Sequence, residues 1–400
     1  MDVDLLRKDF PLLSNGIIYL DSASTALTPE PVLEKLVEFY RFFRASPGRS
    51  VHSASRKAED QLKDARKTAA DFINASTDEI VFTRNTTEGL NMVAGGLNIE
   101  KGGNIVVSAL EHHSNFLPWM ERCKRDGREF RIVFPKSDDG LLTEEDFAEK
   151  IDGNTRVVAL AHVSNVFGTI LPVEEVARIA HENNACVVVD AAQSAPHMQV
   201  DVNSLKVDFL ALSGHKVCGP TGSGMLFVRR ERFPSLGSIH PGGGTVVSVD
   251  PSNVKYLSTT ERLEGGTLAF CEIMAMAEAF KYVKKIGFDQ ILDHDRKLLK
   301  VAYEKLEGVK GLELSGPPAE KRVNTITFNI RGIEPTEVAK MLDSYHKIAV
   351  RSGHLCAQIL TKEVLGVEEG LVRASTYFYN KEEELDTFAE STKDIVYSKA

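Results

Sequence analysis

Residues 207–228 read VDFLALSGHKVCGPTGSGMLFV, and two apolar runs within them, 207–212 and 225–228, enclose a polar, glycine-rich turn that carries Lys216. Short runs of this kind, bounded by turn residues, are the pattern of strands buried on both faces. The same texture recurs upstream at 80–83, 104–108, 130–134, 157–163 and 186–191, so seven strands are predicted. Amphipathic stretches separate several of them; in 172–181, Val173, Val176 and Ile179 or Ala180 share one helical face behind Pro172. Strand and helix in alternation predict an α/β fold, a mostly parallel seven-stranded sheet with helices on both faces. Ligands of such sheets bind beyond the carboxyl ends of the strands, so the chemistry is expected just after them.

Beyond Phe270 the pattern changes. Helical stretches are predicted over 272–285 and 297–306, then a half-buried strand in which Ile326, Phe328 and Ile330 alternate with Thr327 and Asn329. Pro335 opens another helix carrying Val338, Met341 and Leu342, and Asn380 with Glu383 is expected to cap a last one built on Leu385, Phe388, Thr392 and Ile395. This part reads as a smaller α+β C-terminal domain. The expected division is a large domain over 16–265 and a small one over 266–400 together with 1–15. Residues 235–254 read as a short Gly- and Ser-rich loop.

The bulk composition narrows the function. A chain of 400 residues, 42% hydrophobic and 26% charged, has the make-up of a soluble globular protein. Its 48 Lys+Arg against 57 Asp+Glu leave a net charge of −9, which disfavours nucleic acid as a partner, because phosphate-backbone binders need a basic face. The opening MDVDLLRKDF has no apolar leader core, and no stretch approaches the ~18 apolar residues of a membrane helix. A cytoplasmic location without membrane contact is expected. Five cysteines, odd in number and without a CxxC pair, indicate neither a disulfide framework nor a zinc site.

Single motifs are weighed against plain structural readings. In GPTGSG (219–224) the next residue is Met225 rather than Lys and a strand follows, so the phosphate-loop pattern fails and a tight turn needing positive φ accounts for the glycines. His112 and His113 are adjacent, so their side chains diverge, and no HExxH occurs; no metal is expected. What stands out is a set of polar residues at predicted strand ends: Asn165 after 157–163, Asp190 within 186–191, and Lys216 after 207–212. Alone, such an Asp is a turn former and such a Lys a surface residue. Together, with Lys216 in an apolar turn where desolvation would lower its pKa, they point to imine chemistry.

These residues lie in motifs that resemble the fold-type I pyridoxal-phosphate enzymes of the class V aminotransferase group, and within it the cysteine desulfurases. The resemblance runs from YLDSAST (19–25) to VRAS (372–375) through TRNTTEGLN (83–91), EHHSN (111–115), HVSNVFGT (162–169), VVVDAAQS (187–194), SGHKVCGPTGSG (213–224), EGGT (264–267) and RSGHLCAQ (351–358). It implies pyridoxal 5'-phosphate held covalently on Lys216, with Asp190 paired to its ring nitrogen. By the same resemblance His112 stacks on the ring and shuttles a proton, and Asn165 and Gln193 bond the ring oxygen. Thr86, Thr87, Ser213 and His215 take the phosphate, Thr267 reaches the phosphate of a partner subunit in a homodimer, and Arg373 holds the substrate carboxylate with Asn165 nearby. Cys356 is the implied nucleophile, converting L-cysteine to L-alanine and carrying the sulfur as a persulfide to an acceptor thiol or protein, for iron-sulfur assembly or thiolation.

Cys356 stands 17 residues before Arg373, a compact loop resembling the second, selenocysteine-lyase-like desulfurase type. Departures from that pattern are Leu355 for a second His, Ile359 for a Pro, Leu-Ala after Thr267, and a segment 50–56 in which only Val51 and His52 match. The alternatives are a selenocysteine lyase, or an aminotransferase or epimerase of the same group. Outside the group stand a thiol hydrolase using Cys356 and His354, which share a face if a strand runs through them, and a non-catalytic scaffold.

Overall fold

The structure, a computed structural model, describes residues 1–47 and 51–398; Ser50, in the departing 50–56 segment, lies outside them. All seven strands predicted from the apolar runs form, with ends shifted by one or two residues, and they make one sheet. Its spatial order is Ile80–Thr83, Gly224–Val228, Phe209–Ser213, Cys186–Asp190, Thr155–Ala161, Asn104–Ser108 and Glu129–Val133. Five neighbouring strands pair in parallel, and Gly224–Val228 runs antiparallel to both its neighbours. Alternate side chains enter two cores: Ile105, Val107, Val157, Val188 and Phe209 face the helices Thr86–Gly96 and His113–Asp126, while Val106, Val158, Val187, Val189 and Leu210 enter the larger cluster on the other side. Burial on both faces is why six of these strands carry no polar alternation; the edge strand Glu129–Val133, expected to be buried, is instead exposed or half-buried up to Ile132 and alternates Glu129 and Arg131 with Phe130 and Ile132.

The smaller sheet is antiparallel, in the order Leu312–Ser315, Thr325–Ile330, Leu371–Ser375, Arg351–Gly353. Ile326, Phe328 and Ile330 pack with residues of Phe288–Leu306 and Glu382–Tyr397, Phe328 lying 5.8 Å from Phe388. The expectation of a half-buried strand is corrected here: Thr325 and Thr327 are buried too, because Thr327 Oγ1 donates to Val166 O at 2.5 Å on the large-sheet side. The second helical stretch is also longer than expected, beginning at Phe288. The last helix is capped one residue later than the sequence indicates. Lys381 N donates to Glu384 Oε2 at 3.1 Å, and Asn380 instead ties Tyr377 N and Tyr19 O.

Two further differences concern glycine-rich segments. Within 235–254 the chain enters a β-hairpin, Val246–Asp250 against Asn253–Tyr256, rather than remaining a loop. In GPTGSG only Gly222 has positive φ, 77°. Gly224 is needed for a different reason: a Cβ there would lie 2.7 Å from Leu212 O and 2.8 Å from Asn85 Cα, so the turn is a close approach of two backbones. Helix Phe270–Ile286 packs its apolar face into the large-sheet cluster, and Ile18–Tyr19 pairs in parallel with Ile348–Ala349, so the chain crosses between the two sheets more than once. Among the described residues, no helix is long and apolar enough to cross a membrane.

Candidate active site

Because Ile80–Thr83, Asn104–Ser108, Thr155–Ala161, Cys186–Asp190 and Phe209–Ser213 all run in one direction, the segments leaving them emerge along one edge. Thr86, His112, Asn165, Asp190 and Lys216 thereby converge on a cavity of about 660 Å³. Thr87, Gln193, Ser213, His215, Cys356 and Arg373 line it as well. Of the residues assigned from sequence, Thr267 alone is elsewhere, exposed in a separate cavity with Gly222 and His240. Its segment is fixed by Glu264, which takes two bonds from the Arg66 guanidinium (2.9 and 2.7 Å) and one from Phe82 N at 2.7 Å.

Lys216 ends a one-turn 3-10 helix immediately after its strand. Burial, partly opposed by the charge of Asp190, lowers its amine to about 8. No described residue hydrogen-bonds it. Asp190 Oδ1 accepts from Ala192 N at 2.9 Å; burial pushes its carboxyl up and Lys216 pulls it back down. The desolvated lysine expected from the apolar turn is therefore found, with a carboxylate facing the same cavity.

His112 sits at the N-cap of His113–Asp126, where its Nδ1 accepts from Ser114 N at 3.1 Å. A neutral imidazole that accepts at Nδ1 carries its proton on Nε2. Burial, reinforced by Lys216, His113 and Arg373, lowers His112 to about 3, so the ring stays neutral at physiological pH. Asn85 caps Thr86–Gly96 by accepting from Glu88 N at 2.9 Å, and Thr86 N donates to Ser213 Oγ at 2.8 Å. The N–H of Thr87 is left without a partner among the described residues, an arrangement suited to an anion. His215 Nδ1 lies 3.2 Å from Thr25 Oγ1, and burial lowers this ring to about 4.

Arg373 comes from the small sheet and is 2% exposed. It donates to Asn165 O at 2.6 Å, Ser24 Oγ at 2.7 Å and Asp21 Oδ1 at 3.3 Å. Desolvation lowers the guanidinium to about 10, which leaves it charged. The other oxygen of Asp21 meets Arg351 at 3.1 Å, and Arg351 Nε also bonds Ser24. Asp21, Ser24 and Arg351 lie in the YLDSAST and RSGHLCAQ motifs, but nothing in the sequence said that the two ends of the chain meet here. The amide nitrogens of Asn165 and Gln193 donate to Leu355 O and Ala23 O, each at 2.7 Å, while Asn165 Oδ1 is buried without a partner.

Cys356 is exposed and faces the cavity from a tight turn. Leu355 and Cys356 have φ of 53° and 55°, a left-handed conformation that costs an L residue about 1 kcal/mol or more. Asn165 Nδ2 on Leu355 O and His113 N on Cys356 O, 2.7 Å each, hold it. His354 is not on a shared strand face with Cys356, since the strand ends at Gly353; its Nδ1 bonds Thr361 Oγ1 at 2.8 Å. That removes the geometry on which a Cys356–His354 hydrolase depends. His52, matched to the family's amino-end motif, caps the helix Ser53–Phe72 by accepting from Ser55 N at 3.2 Å.

Beneath the site Glu111 is a buried carboxyl bonded by Ser108 Oγ, Asn115 Nδ2 (2.6 Å) and Ala161 N (2.9 Å), and burial pushes it up to about 8. A group protonated more readily folded than unfolded contributes stability that is fully present below its unfolded pKa and lost as pH rises through its folded value. Replacing Glu111 by Gln is thus expected to flatten that loss. Urea unfolding at pH 5 and pH 8 should show the variant gaining at least about 1 kcal/mol on the wild type over that interval. An unchanged difference would mean that Glu111 is ionised in the fold.

The chain matches the aminotransferase class-V family over residues 18–388. It is 43% identical over 399 residues to a probable cysteine desulfurase of Pyrococcus abyssi, covering 98% of this chain and 97% of the relative. The apo structure of a cysteine desulfurase from Thermococcus onnurineus superposes with a TM-score of 0.95 at 40% identity, over 99% of this chain and 98% of that one. The cysteine desulfurase CsdA of Escherichia coli, solved with an S-sulfonic acid, superposes at 0.92 with 30% identity, over 100% and 99% of the two chains.

Proposed function

This chain belongs to the class V aminotransferase family, among its cysteine desulfurases, and on that premise we propose how its own residues carry the reaction. The family's cofactor is pyridoxal 5'-phosphate, which when bound supplies an aldehyde that takes an amino group and a ring that withdraws electrons from the adjoining carbon. The residues present fit it. The unpaired Thr87 N–H at a helix start, the Asp190 carboxylate and the unpartnered Lys216 amine line one cavity, and Asn165 Oδ1 is a buried acceptor in need of a donor.

Lys216, with its amine lowered to about 8, loses its proton readily enough to bind the cofactor and afterwards to accept the Cα proton of the substrate. Asp190 would hold the cofactor's ring nitrogen protonated. Neutral His112 offers its Nε2 proton into the cavity and takes it back. Thr86, Thr87, Ser213 and His215 would bind its phosphate, Gln193 and Asn165 would hold its ring oxygen, and Arg373 would receive the substrate carboxylate in place of part of its contact with Asp21. The Cys356 thiolate attacks the sulfur of L-cysteine; a sulfur–sulfur bond forms, the carbon–sulfur bond breaks with its electron pair left on Cβ, Cβ takes a proton, and Lys216 returns the Cα proton, so that L-alanine is released and the sulfur stays on Cys356.

The observation that carries this reading is that Cys356, exposed on its turn, opens onto the same cavity as Lys216 and Arg373. The compact turn supports the second desulfurase type. Exposure of Thr267 away from its own cavity supports a homodimer in which it serves the partner's phosphate site, and an acceptor thiol or protein, in iron-sulfur assembly or thiolation, would collect the sulfur. A cytoplasmic location accords with these reducing, thiol-based steps. Separate cores around the two sheets support two domains, while the helix Phe270–Ile286, placed beyond the 265/266 division, packs into the large-sheet core.

The test is to add L-cysteine to the holoenzyme and measure alanine together with protein-bound persulfide. Equal amounts of the two in a single turnover are expected. A keto acid, a racemised amino acid, or alanine formed only from selenocysteine would overturn the reading.

A further inference from the structure

We propose that His113 is a positioning residue that clamps the Cys356 turn, gripping it at two points, the Cys356 carbonyl and the Gln358 amide. The inference rests on Cys356 being the sulfur carrier. His113 is the first residue of a 14-residue helix, where the backbone N–H has no acceptor within the helix. That N–H donates to Cys356 O at 2.7 Å. Its side chain takes a second point two residues further along the same turn, Nε2 accepting from Gln358 N at 3.2 Å across 245 residues of sequence. Accepting at Nε2 requires the lone pair there and the proton on Nδ1, the opposite tautomer to His112.

The adjacent histidines thus divide the work: His112 caps its own helix, and His113, which also lines the cavity, turns onto the loop. Among the described residues no other side chain accepts from Gln358 N, and the His113 side chain makes no other hydrogen bond. A turn with two consecutive left-handed residues has a reason to need such a grip, since Leu355 and Cys356 would relax to ordinary φ if released. Asn165 holds Leu355 and leaves the Cys356–Gln358 side to His113.

The experiment compares His113→Phe, which keeps a ring but loses the acceptor, with His113→Gln, whose side-chain oxygen restores one; His113→Ala, which adds no apolar bulk, should behave as His113→Phe. In the apo protein, alkylation of Cys356 by a maleimide is expected to quicken about fivefold in His113→Phe, the effect of losing one hydrogen bond, and to return to within about twofold of wild type in His113→Gln. In the holoenzyme, single-turnover persulfide formation should slow by a similar factor in His113→Phe while the KM for L-cysteine stays within about twofold. Wild-type alkylation and persulfide rates in both His113→Phe and His113→Ala, or a His113→Gln variant as impaired as they are, would overturn the clamp. Absence of persulfide on the wild type would instead strike the proposed function, and the alkylation arm would still judge His113 by itself.

Discussion

Replacement of Cys356 by alanine is expected to leave cofactor binding and uptake of L-cysteine intact and to lower alanine formation by at least about a thousandfold, the scale on which loss of a nucleophile acts. The other four cysteines are buried, and burial raises their thiols, to about 11 for Cys123, Cys186 and Cys271 and well above the ordinary value for Cys218. None of them lines the cavity, so none can stand in for Cys356. Absorbance titration with L-cysteine reports binding, and quantified alanine reports turnover. Alanine production near the wild-type rate would assign the nucleophile to another group.

Lys216→Ala should have an effect of similar size at an earlier stage. The only lysine lining the cavity among the described residues would be gone, so covalent attachment of the cofactor should be lost and turnover should fall by at least about a thousandfold. Borohydride treatment followed by mass measurement separates attachment from activity: the reduced wild type should carry the cofactor's mass and the variant should not. Persistence of that mass on the variant would move the attachment elsewhere. Lys216→Arg is a useful companion, because it keeps a cation beside Asp190 while removing an amine that can be deprotonated; it should retain the fold and lose attachment as completely as alanine does.

These expectations combine two kinds of information. Six strands of the large sheet were legible because each is a short apolar run buried on both faces, a property written in four to seven neighbouring residues, and the edge strand Glu129–Val133 because Phe130, Ile132 and Val133 still supply an apolar face. Lys216 and Asp190 were legible for the same reason, being polar residues placed just where such runs end. The strand at 325–330 misled because alternation of Ile and Phe with Thr implies a wet face, whereas Thr327 is buried against Val166 from the segment that leaves the large-sheet strand Thr155–Ala161. The hairpin after 245 was missed because Val247, Val249 and Val254 are exposed and it follows three consecutive glycines, 242–244.

Local pattern, then, determined which segments become strands and which of their ends bear chemistry, since that depends on burial and turn formation within a few residues. Tertiary structure decided which of those ends share a cavity. It brought Asp21 and Ser24 from the amino end against Arg351 and Arg373 from the carboxyl end, and it tied the turn at Cys356 to the helix start at His113. Such contacts span hundreds of residues and are selected by the packing of two sheets against each other, for which no stretch of sequence carries a local signal.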